Sequence, residues 1–292
     1  MIFRNLPSAD STPWAEATSK EDGLPVRESG SWIKEKHRLL VYFANIFATG
    51  MKPTAKKPKW TQRVYLELFS GPGKCLVRET GKEELGSPLK VIDHEFTRFI
   101  FIDMNTAAAR ALEKRLAGHA NIDKVEIWNG DCNEVIDILD ISKDSLTFAF
   151  IDPTGIAQIP LGMIQRLRAK TRCDLLINVQ HGMGIKMNMH QYTPDSAEDC
   201  ALTQFLGDES WKEFLKTTAT AQAFFQEVFK SYRLRLAAAG FRYTDNQVLV
   251  NTSRDVPLYL LLFASGHPLG QKFWNEAVRG ADPQFSLGLE AV

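Results

Sequence analysis

Five runs of β-forming residues in this chain are each followed at once by an acid, an amide or a glycine-rich turn. VYLELF leads into Ser70-Gly71-Pro72-Gly73, and FIFID ends on Asp103 before Met104-Asn105. KVEIWN precedes Gly130-Asp131-Cys132-Asn133, SLTFAFID precedes Asp152-Pro153-Thr154-Gly155, and CDLLINVQ carries Asn178, Gln180 and then His181. One acid after a strand is an ordinary helix cap. A row of them along one sheet edge is where open α/β sheets bind ligands. Glycines let a ligand approach bare backbone. The loop matches neither GxGxxG nor GxxxxGK[ST], so it is not evidently built for phosphate.

The residue types suggest the ligand. A carboxylate accepts two hydrogen bonds, so Asp103 suits the two hydroxyls of a ribose. Asp131 can accept from an exocyclic amine such as that of adenine, and Glu67 can face an ammonium or sulfonium group. A carboxylate-lined pocket repels phosphates and favours a nucleoside bearing a cation. S-adenosylmethionine is such a ligand.

Those residues need a scaffold. Strand-like runs alternate with helical ones (SPLKVIDHEF with Ser87 as cap, TAAARALEKRLAGH, NEVIDILD, PLGMIQRLRAK), which predicts a mostly parallel sheet with helices on both faces. NQVLVNTSRDVPLYLLLFAS predicts an antiparallel hairpin at its edge. Residues 1–30 are polar and aperiodic and read as a flexible arm; 31–292 read as one domain. Within it, 31–50 form a helix from Ser31 to Gly50, 51–63 a basic linker, and 64–180 the cofactor-binding core. A helical segment, the hairpin and a last helix fill 181–292.

Composition excludes some classes. Among 292 residues Lys+Arg and Asp+Glu are equal at 35 each, so net charge gives no support for general nucleic-acid coating. The linker's Lys52, Lys56, Lys57, Lys59 and Arg63 are the local exception, read as a solvated loop or a contact for an anionic partner. Cys75, Cys132, Cys173 and Cys200 show no metal-ligand or disulfide spacing, which fits a reducing cytoplasm and no metal. No apolar run reaches membrane-spanning length. The lack of a P-loop disfavours a nucleotide hydrolase.

The stretches YLELFSGPG, GSPLKVI, FIFIDMN, NGDCNEVI, FAFIDPTG and LYLLLFASGHPLG resemble the three-Cys-motif partner family, class I methyltransferase-like proteins. With SWIKEKHRLLVYFANIF and Trp211 the resemblance covers roughly 31–275. It implies the seven-stranded Rossmann-like methyltransferase sheet with an antiparallel last strand, and a partner protein carrying CxxxCxxC. Carried over by motif, Glu67, Phe69, Ser70, Gly71 and Gly73 belong to the cofactor loop. Asp103 with Met104 takes the ribose position, and Asp131 with Cys132 the adenine position. IDPTG sits where amino-methyltransferases use an acid or amide, a proline carbonyl and an aromatic residue. Asp152 and Pro153 are retained, whereas Thr154-Gly155 replaces the second proline and the aromatic.

The expectation is a methyltransferase-like protein acting on a nucleic acid, a modified nucleobase or another small acceptor. Asp152 orients the acceptor, Asn178 or Gln180 assists, and His181 serves as base. The alternative is an accessory partner of the CxxxCxxC protein. The stretches 74–86 and 181–195 are lid candidates. His37 reads as a surface histidine and His267 as structural. Cys75 and Cys132 read as packing rather than nucleophiles, and Trp211 with Phe224, Phe225, Phe229 and Tyr232 as core.

Overall fold

The structure is a computed structural model that describes residues 1–52, 60, 62–179, 192–193, 200–244, 247–251 and 257–280. Its strands are β1 (Ile2–Asn5), β2 (Arg27–Ser29), β3 (Arg63–Leu68), β4 (Lys74–Val77), β5 (Lys82–Leu85), β6 (Arg98–Asp103), β7 (Val125–Asn129), β8 (Leu146–Ile151), β9 (Arg172–Val179), β10 (Gln247–Asn251) and β11 (Pro257–Ser265). The helices are α1 (Ile33–Gly50), α2 (Ser87–Val91), α3 (Thr106–Leu116), α4 (Cys132–Ile138), α5 (Leu161–Lys170), α6 (Ala201–Leu206), α7 (Trp211–Thr217), α8 (Ala221–Ala238) and α9 (Pro268–Gly280).

The main sheet runs β1-β7-β6-β3-β8-β9-β11-β10. All pairings are parallel except those of β11, which runs antiparallel to both β9 and β10. Without β1, that order and that one reversed strand make the methyltransferase-type Rossmann-like sheet. Strands β3, β6, β8 and β9 are buried on both faces, as crossover helices on each side require. Alternate residues feed two cores. Leu66, Leu68, Ile100, Ile102, Ile151 and Ile177 pack with α4, α5, α6 and α8. Tyr65, Phe99, Phe101, Phe148 and Phe150 pack with α1, α3 and α9, where Phe43, Phe263 and Trp274 meet edge-on and stacked.

Register lines up the functional ends. Leu68 pairs with Ile102 and with Ile151, and Ile151 with Ile177. Phe69, Asp103, Asp152 and Asn178 therefore follow one residue later in a single row.

Residues 1–30 differ from the expected loose arm. Ile2–Asn5 extend the sheet along β7, with the Arg4 guanidinium over the Trp128 ring at 4.9 Å and that of Arg110 over Phe3 at 3.7 Å. Asp10 bridges Asn105, and Arg27–Ser29 pair with β4. An unpaired edge on β7 and several polar side chains thus fix a segment too poor in apolar residues to declare itself. The lid candidate at 74–86 is a β4–β5 hairpin, completed by β2 into a separate three-stranded sheet. α2 is capped by Gly86 and ends at Val91; Ser87 lies inside it and bonds elsewhere.

Candidate active-site cleft

The turn after β3 is held in unusual backbone conformations. Phe69 has φ +70°, Gly71 +64° and Gly73 +87°. A bulky residue in the left-handed region carries a cost of roughly 1–2 kcal/mol, and such strain concentrates at ligand sites. The neighbours over-determine the turn. Ser70 N donates to the Ile102 carbonyl at 2.8 Å, and Gly71 N to Asp103 Oδ2 at 2.7 Å. A Cβ on Gly86 would lie 2.9 Å from the Gly73 backbone, so α2 starts pressed against the loop. Arg115 of α3 donates at once to the Pro72 carbonyl (2.6 Å), the Pro25 carbonyl (2.7 Å) and both oxygens of Asp22 (2.8 and 2.9 Å). It straps the N-terminal segment to the glycine turn.

Two adjoining lobes open along this edge. The first, about 300 Å³, is lined by Asp10, Asp103, Met104, Asp131, Cys132 and Asn133, among others. Burial raises the Asp103 carboxyl, against the pull of the Asn105 and Gly71 amides. Asp131 also caps α4, accepting from Asn133 N at 2.8 Å, and Asn105 caps α3. The Cys132 sulfur packs 3.7 Å from that of Met163, and burial pushes its thiol far up, as a packing residue requires.

The second lobe, about 280 Å³, is walled by the glycine turn, by Trp32 and by α1 through Lys36 and His37, by β2 through Arg27 and Ser29, and by Arg78 just after β4. Asp152, Pro153, Asn178 and Tyr259 close it. Phe69, Arg27, Asp152 and Thr154 line both lobes, so the two meet there. Asp152 Oδ2 accepts from Lys36 Nζ at 2.5 Å and Oδ1 from Asn178 Nδ2 at 2.6 Å. Burial works against its charge, but Lys36 and Asn178 outweigh that and hold the carboxyl below its ordinary value. The Lys36 ammonium also sits 5.6 Å from the Tyr259 ring centre.

Glu67 occupies a different place from the one expected. It is fully buried on the α1 face of β3 and accepts from Tyr65 Oη at 2.9 Å and Ser87 Oγ at 2.5 Å. Burial pushes it up to about 8, so it is largely neutral at pH 7 and faces no cation directly. Its link to the cleft is Ser87, which lines the second lobe. Cys75 also lines that lobe, its thiol pushed up by burial to about 11.

His37 is 3% exposed rather than on the surface, and burial with the nearby Lys36 and Lys90 drives it down to about 3. The helical spacing Ile33, Lys36, His37, Leu40, Phe43, Phe47 marked both Lys36 and His37 as inward-facing; only their polarity hid it. Arg27 carried no such signal, since a three-residue strand in a polar segment has no period. Gln180, His181, the 181–191 stretch and Lys56, Lys57 and Lys59 lie outside the described residues. Lys52 pairs with Glu95, and Arg63 donates to the Glu95 carbonyl at 3.0 Å, both at the far end of β3 from the cleft. His267 accepts from Leu269 N at the start of α9, a structural contact. Among the described residues no group of three or more His, Cys, Asp or Glu is arranged for a metal, and no helix is long and apolar enough to cross a membrane.

No protein-family profile and no curated protein matches the sequence. Solved structures with a similar chain path include protein LPL1258 of Legionella pneumophila, at 13% identity and TM-score 0.48 over 84% of this chain and 90% of that one. The O-methyltransferase TomG of Streptomyces achromogenes, solved with SAM, has 12% identity and TM-score 0.43 over 84% and 83%. An O-methyltransferase of Bacillus cereus, solved with SAH, has 11% identity and TM-score 0.42 over 83% and 84%.

Proposed function

We propose that this chain is an S-adenosylmethionine-dependent methyltransferase whose acceptor, a nucleic acid, a modified nucleobase or another small acceptor, enters the second lobe. The observation that carries the reading is the two-lobed cleft across the carboxyl ends of β3, β6, β7 and β8. One lobe is lined by the carboxylates a nucleoside needs, and the other joins it at Phe69 and Asp152. The residues fit the cofactor. Asp103 in the wall of the first lobe supports a contact to ribose hydroxyls, Asp131 and Met104 line the same lobe where the base would lie, and the turn from Phe69 to Gly73 offers backbone with few side chains. Ser70 Oγ, buried without a hydrogen-bond partner, supports a polar ligand there.

When bound, S-adenosylmethionine supplies a methyl group on an electrophilic sulfonium. The protein's own task is positioning and electrostatics. Asp152, kept ionised by Lys36, places negative charge where the lobes meet.

Calorimetric titration of the full-length chain with S-adenosylmethionine and with its demethylated product tests this. Both are expected to bind, and Asp103→Ala is expected to weaken both by about tenfold or more, since hydrogen bonds to a charged group contribute ~1.5–3 kcal/mol. Asp152→Ala should bind yet fail to turn over. Turnover unchanged in that variant would remove Asp152 from the mechanism.

A further inference from the structure

The wall of the first lobe is acidic with one exception. Asp10, Asp103, Asp131 and Asp152 line it, and among its described lining residues Arg27 is the one cation. Arg27 also lines the second lobe, with Phe69 and Asp152, where the two meet. A ligand that fills the first lobe and carries an anion of its own is repelled by those carboxylates and attracted at Arg27.

The segment around Arg27 holds it there. β2 pairs with β4, with Arg27 opposite Cys75. Val26 before it is fully buried; its N–H donates to the Ala17 carbonyl at 2.9 Å, and its carbonyl accepts from Trp14 Nε1 at 3.1 Å. The Arg27 guanidinium lies over the Trp14 ring, 5.6 Å from its centre. Glu16 Oε1 stands 3.6 Å from the Nε edge, and the other Glu16 oxygen accepts from Glu28 N at 2.6 Å. Ring and carboxylate thus fix one face and one edge of the guanidinium. Among the described residues nothing accepts a hydrogen bond from its terminal Nη groups. The side chain keeps 35% of its exposure, so a ligand can reach it. The other cations of the cleft are placed differently. Lys36 holds Asp152 and is 9% exposed, while Lys74 reaches Glu21 at 2.6 Å and Asp22 at 3.3 Å. Arg78 lies over the Trp32 ring at 5.5 Å and lines only the second lobe.

We propose that Arg27 takes the carboxylate of the cofactor's methionine tail, which makes the N-terminal cap a specificity determinant for S-adenosylmethionine. That the ligand is S-adenosylmethionine rests on the function proposed above. With adenosine in the first lobe, the rest of the cofactor has the junction of the lobes to occupy, and the carboxylate is its one anion. A guanidinium fork grips a carboxylate through paired hydrogen bonds, which a lysine ammonium cannot match. A cofactor without that carboxylate gains nothing from the cap and brings its ammonium toward a cation.

Calorimetric titration of the full-length chain with S-adenosylmethionine and with decarboxylated S-adenosylmethionine tests this. The second ligand keeps the adenosine, the sulfonium and the ammonium and lacks only the carboxylate. The parent should bind S-adenosylmethionine about tenfold tighter or more, as hydrogen bonds between charged groups provide. Arg27→Gln should weaken S-adenosylmethionine by a similar factor and leave the decarboxylated ligand unchanged or tighter, so the preference disappears. Arg27→Lys keeps the charge without the fork and should lose part of the preference; it carries the test if Arg27→Gln does not fold. Equal affinity of the parent for the two ligands, or a preference fully kept in both variants, would overturn the proposal. So would equal weakening of both ligands in Arg27→Gln, since the arginine would then only hold the cap in place. A parent that binds neither ligand would instead remove the methyltransferase reading.

Discussion

Single residues carry the electrostatic character of this molecule. Glu67 and Asp174 are buried acids that accept hydrogen bonds from hydroxyls, Asp174 from Ser265 Oγ at 2.6 Å, and burial pushes them to about 8 and about 7. Unfolded, both titrate near 4. Between those limits these two acids hold more protons in the folded state, so their contribution to stability falls as pH rises from about 4 and levels off above about 8. His37, held near 3 when folded, works the other way up to about 6.5. Asp174→Asn keeps an acceptor for Ser265 and removes the ionisation. Its melting temperature is expected to match the parent near pH 4 and exceed it at pH 8, by up to a few kcal/mol in stability. Identical profiles would contradict the buried-acid account. Phe69 makes a second prediction. Phe69→Gly relieves about 1 kcal/mol of backbone cost but gives up the ring's packing against the core and frees the unfolded chain. The melting temperature without ligand is therefore expected to fall, and cofactor binding to weaken because the ring walls both lobes. A melting temperature that rises would show that strain, not packing, dominates there.

At the scale of elements, the site is assembled by α1 and the N-terminal segment as much as by the strand ends. α1 delivers Lys36 to Asp152, a largely buried pair. Removing one partner of such a pair leaves the other uncompensated and costs about 3–5 kcal/mol when fully buried, less here because Asp152 keeps 21% of its side-chain exposure. Lys36→Met should lower the melting temperature and abolish turnover while sparing most affinity for S-adenosylhomocysteine; full turnover would contradict the role given to the Lys36–Asp152 pair. Arg115→Ala cuts the strap between the glycine turn and residues 22–25. The expected result is faster proteolysis within the first thirty residues together with weaker cofactor binding, read by timed digestion and calorimetry. Weaker binding with an unchanged digestion rate would show that the strap does not order the segment. The strand-end row was legible because strands declare themselves by apolar runs and their ends by acids and glycines. Lys36, His37 and Arg27 were not, since a polar residue on an inward helix face or in a short strand has no local mark of burial. Glu67 was misread for a related reason: strand parity turns it toward α1, and parity at a strand end depends on the last paired residue.

For the whole molecule, a sheet reversed at β11 and extended by β1 places four strand ends in register beneath a cap made from the polar N-terminus and the β4–β5 hairpin. The alternation of strands and helices foretold the sheet; the cap arises from long-range pairing that no window of sequence contains. The central claim is that this edge binds S-adenosylmethionine. Isothermal titration of the full-length chain tests it most directly. Saturable binding of S-adenosylmethionine and S-adenosylhomocysteine, weakened by Asp103→Ala, is the predicted result. Absence of binding heat for both ligands across several temperatures would contradict it.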